Sequence, residues 1–436
     1  MSDKKLTVGI YTLGCKVNQY ESEAIAEALT SHGFHMLQPH QVCDIYIINT
    51  CTVTAESDRK AGQFIRRAIA KNSNAYIIVT GCLSQTAPEE ISKIKGVDFI
   101  CGNTSKMSAV DAALRFARDM KKSDEPEISV EAINECPFEP MRITRFDRTR
   151  AYVKIEDGCE NRCTYCIIPK ARGKVRSKAP NEVIDEIKAL VAGGCKEVVL
   201  TGIETASYGK DRKDTDLASL LVEADKIKGL ERIRLGSLDP SLITERFVSK
   251  ISTLRSLTPH FHLSLQSGSD RILALMKRKY NSRMALEGIE RLRKAIPGVM
   301  FTTDVIVGFP GETEEDFQNT EDFLKKARFL SAHVFAYSKR KGTLAAEMPD
   351  QIPKQIKSER SSRLISLQRD IRNSILLGEM GNEYDVLFET QSKNIYTGHT
   401  PSFIEISVCS DRSLQGEIHR VRIVGISDGI ADGVII

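Results

Sequence analysis

Gly158-Cys159-Glu160-Asn161-Arg162-Cys163-Thr164-Tyr165-Cys166 spaces three cysteines as Cys-x3-Cys-x2-Cys, with an aromatic residue just before the last. A [4Fe–4S] cube usually takes four cysteines, one per iron. Three thiolates therefore leave one iron open, and an open iron is a place for a substrate to bind. The competing reading is a structural zinc site. Such sites close with four ligands, often as two Cys-x2–4-Cys pairs. No His or fourth Cys lies near this triplet; the next cysteine, Cys195, falls at a predicted helix–strand joint.

Outward from the triplet, residues 148–373 alternate strand and helix patterns. AYVKIED, EVVLTG, RIRLGS, HFHLSLQS, FTTDVIVGF and AHVFAYS read as strands. NEVIDEIKALVAGG, SDRILALMKR and RMALEGIERLRKA read as helices between them. The cysteine loop follows the first strand, at the strand ends where barrel enzymes place their chemistry. Together, Cys-x3-Cys-x-aromatic-Cys and six such repeats resemble the radical SAM enzymes and their open, partial (β/α)6 barrel. There the open iron chelates S-adenosylmethionine (SAM). The resemblance implies cofactor contacts at Tyr165, at Gly202 and Glu204 in TGIETASYG, and at Ser237 ending RIRLGS. It implies further contacts at Gln266 and Ser267 in LSLQSGSD, facing the same pocket, and at Asp304, Ile306 and Gly308 in TTDVIVGFPGET.

Residues 1–120 read as a parallel, Rossmann-like α/β unit. Its strands are LTVGIYTLG, DIYIINT, AYIIVTG and VDFICG. Cys15, Cys51 and Cys82 each come directly after a strand, in TLGC, INTC and VTGC. In a parallel sheet the carboxyl ends share one edge, where such folds bind ligands. Three cysteines distant in sequence therefore converge into a second metal site. Small neighbours Gly14, Thr50 and Gly81 leave room for a bulky cluster. Residues 121–147, with three prolines and no periodicity, read as a linker. Cys43, Cys101, Cys136, Cys195 and Cys409 belong to no spaced group and read as ordinary thiols.

Residues 374–436 have no helical pattern. EYDVLFE, IYTGHT, FIEISV, GEIHRVRIVGI and DGVII form short strands between polar turns, which suggests a small OB-like β-barrel. It resembles the TRAM domain, an RNA-binding module. From Ser374 on, four Lys/Arg stand against nine Asp/Glu, a net of −5. RNA binding must then use a confined face, with His399, His419, Arg420 and Arg422 as candidates; a barrel that only docks on the catalytic domain is the alternative.

The whole chain carries only +4 over 436 residues, so its distribution matters more than its sum. Lys170, Arg172, Lys174, Arg176 and Lys178 alternate after the triplet, as on one face of an extended segment. Lys354, Lys357, Arg360 and Arg363 recur at helical spacing. Each run reads either as a solvated face or as contact with a polyanion, and Lys170, Arg172 and Lys174 are the RNA candidates beside the site. The start MSDKKLTVGI lacks a leader's apolar stretch, and no apolar run is long enough for a membrane span. Eleven cysteines without a leader fit metal work in a reducing cytoplasm.

Three such segments in this order resemble the methylthiotransferases along essentially the full length. TLGCKVNQYE resembles the MtaB branch, which acts on threonylcarbamoyladenosine of tRNA; the isopentenyladenosine branch has a GCQMN-type string there. GCENRCTYCIIPKARGKVRS and LSLQSGSDRILALMKRKY also look like that branch. One departure is Glu204-Thr205, where the branch often has His-Leu. The resemblance implies two [4Fe–4S] clusters. One cleaves SAM reductively to a radical that removes the C2 hydrogen of adenine. The other carries the sulfur that a second SAM methylates. It further implies a tRNA substrate, an electron donor such as flavodoxin or ferredoxin, and a monomer. A basic residue near the pocket, Arg172 or Arg340, is the expected partner of the threonylcarbamoyl carboxylate. A related branch acting on a ribosomal-protein aspartate, and a non-catalytic Fe–S redox sensor that binds RNA, are the alternatives.

Overall fold

The computed structural model describes residues 5–146 and 148–436. The N-terminal unit is a six-stranded parallel sheet. Its strands are β1 (Thr7–Thr12), β2 (His35–Leu37), β3 (Ile45–Thr50), β4 (Tyr76–Gly81), β5 (Phe99–Cys101) and β6 (Glu127–Ser129), in the order β2-β1-β3-β4-β5-β6. IYIINT and YIIVTG are buried at every position. That is the pattern of central parallel strands covered by helices on both faces. The order is that of flavodoxin-like sheets, with the switch point between β1 and β3. Cys15 and Cys51 follow these two strands, and Cys82 follows β4.

The sheet runs past residue 120. β6 lies in the segment read as a linker and pairs with β5. Ile133, Met141 and Ile143, farther along it, are buried. The prolines interrupt periodicity without freeing the chain.

The six strands expected of the middle segment all form. β7 (Arg150–Lys154) leads into a short antiparallel pair, β8 (Glu156–Asp157) and β9 (Arg176–Ser177). Then come β10 (Glu197–Thr201), β11 (Arg232–Leu235), β12 (Ser237–Leu238), β13 (His260–Gln266), β14 (Met300–Val307) and β15 (Ser331–Ala336). They make two parallel sheets, β7-β10-β11 and β12-β13-β14-β15. The chain passes from one to the other at Gly236, and a bridge between Ile233 and Leu257 spans the seam. The result is an open arc of six β/α units. Buried residues such as Ile155, Val199, Leu263 and Phe301 join its core to that of the N-terminal unit.

A 25-residue helix, Lys354–Gly378, leads into the last unit and extends four residues past its expected start. β16 (Glu383–Ser392), β17 (Ile395–His399), β18 (Glu405–Cys409), β19 (Ile418–Ser427) and β20 (Ile430–Ile435) close into a barrel. Val386, Phe388, Ile406, Val421 and Ile423 fill it, with Ile375 and Leu376 of the helix beneath. The barrel docks through its 399–403 loop. Phe403 stacks on His260 and His399, each at 4.5 Å between centroids, and the Arg234 guanidinium lies 4.8 Å from its ring. Arg232 donates to the Asp385 carbonyl at 2.6 Å, and Arg234 donates to the Pro401 carbonyl at 3.1 Å. The acidic barrel thus meets cations of the arc. Among the described residues no helix is long and apolar enough to cross a membrane.

Candidate functional site

Backbone hydrogen bonds hold the loop 158–166 in place. Gly158 has φ +88, and a Cβ there would come within 1.9 Å of the Lys174 carbonyl oxygen. Cys159 N–H donates to Gly173 O at 2.9 Å, and Cys166 N–H donates to Cys163 O at 3.1 Å. Thr164 is tied to both sides: its N–H and Oγ1 donate to Met276 O and Leu275 O, and its carbonyl accepts from Ala345 N–H. All three cysteines then line one cavity of about 300 Å³. Tyr165, Glu204, Gln266, Asp304 and Ile306 line it too. Gln266 has φ +70 where β13 slips register against β14. A non-glycine residue pays about 1 kcal/mol or more for that conformation, a strain typical of binding sites.

Other expected contacts lie elsewhere. Ser267 is fully buried, with its hydroxyl against Thr320 at 3.3 Å and accepting from Ser269 N–H. It lies just past the end of β13, where the turn at Gln266 directs it to Thr320 and Ser269 instead of the cavity. Gly308 is backbone support: its N–H donates to Glu312 at 2.7 Å, and a Cβ would strike Lys357. Gly202 and Ser237 face a second cavity.

Cys15, Cys51 and Cys82 form the other cluster of thiols. Cys15 is the N-cap of helix Lys16–Ser31 and makes no side-chain cap, while Cys82 opens helix Cys82–Thr86. Gly14 has φ +100, and a Cβ on it would be 2.7 Å from Cys51 Cβ. Gly81 has φ +103, and its Cβ would be 2.3 Å from Thr50 O. Both turns require glycine. Cys15 opens into the second cavity, about 660 Å³, which runs through the arc to the docked barrel. Asp304 and Phe335 line both cavities, so Cys15 and the loop triplet face adjoining spaces.

The donor sets fit iron–sulfur clusters. Each set offers three thiolates, the donor type of an iron–sulfur cube; among the described residues no three His, Cys, Asp or Glu close on a single ion. Burial pushes Cys51 up to about 11, with Cys82 adding to it, and pushes Cys159 and Cys166 up to about 12. A bound cation reverses that preference, since the thiolate is the ligand. Burial, then Asp239, raises Glu204 to about 7. Its Oε1 is buried without a hydrogen-bond partner among the described residues. Lys16 lines the larger cavity; burial and then the Arg150 and Arg234 charges hold its ammonium below the usual range.

Sequence reading missed two arginines that reach cysteine sulfurs. Arg278 donates to Cys163 Sγ at 3.3 Å and pairs with Asp239 at 2.9 Å. Its setting in MKRKY gave no periodic signal. Arg172, expected to contact RNA, is instead wholly buried. The segment is not one extended face: Ile168–Arg172 is helical. Arg172 donates to Glu21 at 2.5 Å, Asn18 at 2.6 Å, Asp157 at 3.1 Å and Cys82 Sγ at 3.4 Å. Lys106 and Lys154 complete this network on Glu21 at 2.7 and 2.8 Å. It joins the N-terminal unit to the arc directly behind Cys82. Lys178 is buried against Glu186. Lys170 and Lys174 remain exposed.

Of the helical basic stripe only Arg360 is buried, while Lys354 is exposed and Arg363 partly so. Arg360 pairs with Glu312 at 2.7 Å, and Arg363 pairs with Glu314 and Glu321. Arg340 is tied to Thr52 and Asp58. Neither Arg172 nor Arg340 is free for a substrate carboxylate. On the barrel, His399 faces inward, paired with Glu389 at 2.8 Å and stacked on Phe403. Arg420 and Arg422 are half exposed beside Glu383 and Asp385. The three do not share one basic face.

Residues 7–102 match the model of "Uncharacterized protein family UPF0004", and residues 153–324 match that of the radical SAM superfamily. Threonylcarbamoyladenosine tRNA methylthiotransferase MtaB of Bacillus subtilis is 41% identical over 96% of this chain and 94% of its own. A tRNA-2-methylthio-N(6)-dimethylallyladenosine synthase of Carboxydothermus hydrogenoformans is 38% identical over 95% and 96%. Among solved structures, the radical SAM methyltransferase TsrM of Kitasatospora setae aligns with a TM-score of 0.56 at 15% identity, over 78% of this chain and 77% of that one. With relatives this similar along nearly the whole chain, and with Cys15 and the loop triplet on adjoining cavities, the chain belongs to the radical SAM methylthiotransferase family.

Proposed function

We propose that the protein is a tRNA-modifying enzyme that replaces the C2 hydrogen of threonylcarbamoyladenosine, next to the anticodon, with a methylthio group. The observation that carries this is the similarity to MtaB enzymes along nearly the whole chain, 41% identical with that of Bacillus subtilis. The meeting of two cavities at Asp304 and Phe335 supports it. That C–H bond is not acidic, so no side chain removes the proton directly. When bound, SAM and two [4Fe–4S] clusters supply the radical and sulfur-transfer chemistry.

The residues bind, orient and exclude water. Cys159, Cys163 and Cys166 would hold the SAM-side cluster, with the Glu204 carboxylate and Gln266 at the SAM wall. Cys15, Cys51 and Cys82 would hold the sulfur-side cluster. Arg278 and Arg172 donate to one sulfur of each set and stabilise its thiolate by charge-assisted hydrogen bonds. Asp304 and Phe335 form the border where the adenine would lie. Exposed Lys170 and Lys174 would meet phosphates, which position RNA without reading its sequence. A cytoplasmic location and a flavodoxin- or ferredoxin-type reductant complete this reading.

The test is anaerobic turnover on two preparations of one tRNA, with and without the threonylcarbamoyl group. A site built around a polar group rejects the analogue lacking it. Methylthiolation of the first and little of the second is expected. Turnover only of isopentenylated tRNA, or of a ribosomal protein, would overturn the substrate assignment.

A further inference from the structure

The larger cavity is lined by four lysine or arginine side chains: Lys16, Arg150, Arg234 and Arg372. Three are already paired. Arg150 meets Glu389 at 2.7 Å, Arg234 meets Glu197 at 2.7 Å, and Arg372 meets Glu405 at 3.4 Å. Lys16 alone of the four has no carboxylate in ion-pair contact among the described residues. It is exposed to the cavity, and it directly follows Cys15.

The Asp304 carboxylate on the same cavity attracts the Lys16 ammonium without forming an ion pair with it. An arriving anion would be its first ion-pair partner among the described residues. The substrate offers one. On adenine, C2 and C6 flank N1, so the N6 substituent leaves the ring along the edge that also presents C2. If C2 faces the cavity wall that carries Cys15, the threonylcarbamoyl carboxylate would run along that same wall. A lysine on a flexible four-carbon stem suits this role, since it must follow a rotatable group. The arginines expected to do this work, Arg172 and Arg340, are consumed by internal pairs.

We infer that Lys16 is the specificity-determining residue that pairs with the carboxylate of the substrate's threonylcarbamoyl group. This rests on the substrate reading above. Arg150 and Arg234 line the same cavity, with their charges held by Glu389 and Glu197.

The test uses the full chain with both clusters reconstituted and three anticodon stem-loops. One carries threonylcarbamoyladenosine, one carries its methyl ester, and one is unmodified. Binding is read by fluorescence anisotropy. The intact protein should bind the carboxylate form roughly tenfold more tightly than the ester, the scale of one charged hydrogen bond. Lys16→Gln should lose that tenfold and bind the ester as before, while Lys16→Arg should keep most of it. Three results would overturn the inference: the intact protein failing to distinguish acid from ester, Lys16→Gln keeping the preference, or Lys16→Gln weakening both forms equally, as a structural role would. Failure to distinguish the modified from the unmodified stem-loop would instead strike the substrate reading itself.

Discussion

The two cysteine triplets solve one problem by opposite means. Cys159, Cys163 and Cys166 sit in a single loop, fixed by its own turn and by Thr164. Cys15, Cys51 and Cys82 come from three strand ends and meet only once the sheet has formed. The first site takes all three ligands from one loop, although Leu275, Met276, Arg278 and Ala345 brace it from elsewhere in the same arc. The second depends on global folding, on Gly14 and Gly81, and on Arg172 contributed by the neighbouring unit. A site assembled from distant segments is the more vulnerable to loss of stability.

Removing each set of ligands tests their independence and should have the largest effect. Replacing Cys159, Cys163 and Cys166 with Ala should abolish SAM cleavage and remove about half the iron, one of two clusters. Replacing Cys15, Cys51 and Cys82 should remove the other half, abolish methylthiolation and leave SAM cleavage measurable. Full iron in the second variant would mean that those three cysteines hold no cluster.

Arg172→Met should destabilise the protein by about 3–5 kcal/mol, because Glu21 and Asp157 are left buried with one cation fewer. Chemical denaturation reads the loss. The asymmetry predicts that iron from the Cys15 set falls first. Equal loss from both sets would remove the special dependence of the distributed site.

Legibility followed the same division. The local triplet was readable from spacing alone. The distributed one was readable because strand ends in a parallel sheet must share an edge. What failed was charge. Alternation in KARGKVRSK suggested an exposed ladder, yet the helix Ile168–Arg172 turned Arg172 into the core. Whether an arginine is solvated or buried depends on carboxylates distant in sequence, here Glu21 and Asp157, and periodicity does not carry them. Arg278, Lys16 and the inward turn of His399 were hidden for the same reason. The barrel's strands were evident, but its docking loop needed the arginines of the arc.

Gly81→Ala should cost about 1–3 kcal/mol, since φ +103 disfavours a side chain and Thr50 O leaves no room. Thermal unfolding checks it, and the cost should again fall on the distributed site, through Cys82. An alanine variant as stable as the parent would show that this turn is not constrained. Smallest should be the effect of Lys170→Ala with Lys174→Ala. Losing two phosphate contacts should lower the salt dependence of tRNA binding by about two units of slope. An unchanged slope would assign both lysines to a solvated surface.

The most direct test of the central claim is mass spectrometry of tRNA nucleosides from cells with and without this protein. Its loss should abolish 2-methylthio-threonylcarbamoyladenosine and leave threonylcarbamoyladenosine in its place. Persistence of the methylthio nucleoside, or loss of the isopentenyl counterpart instead, would contradict the account.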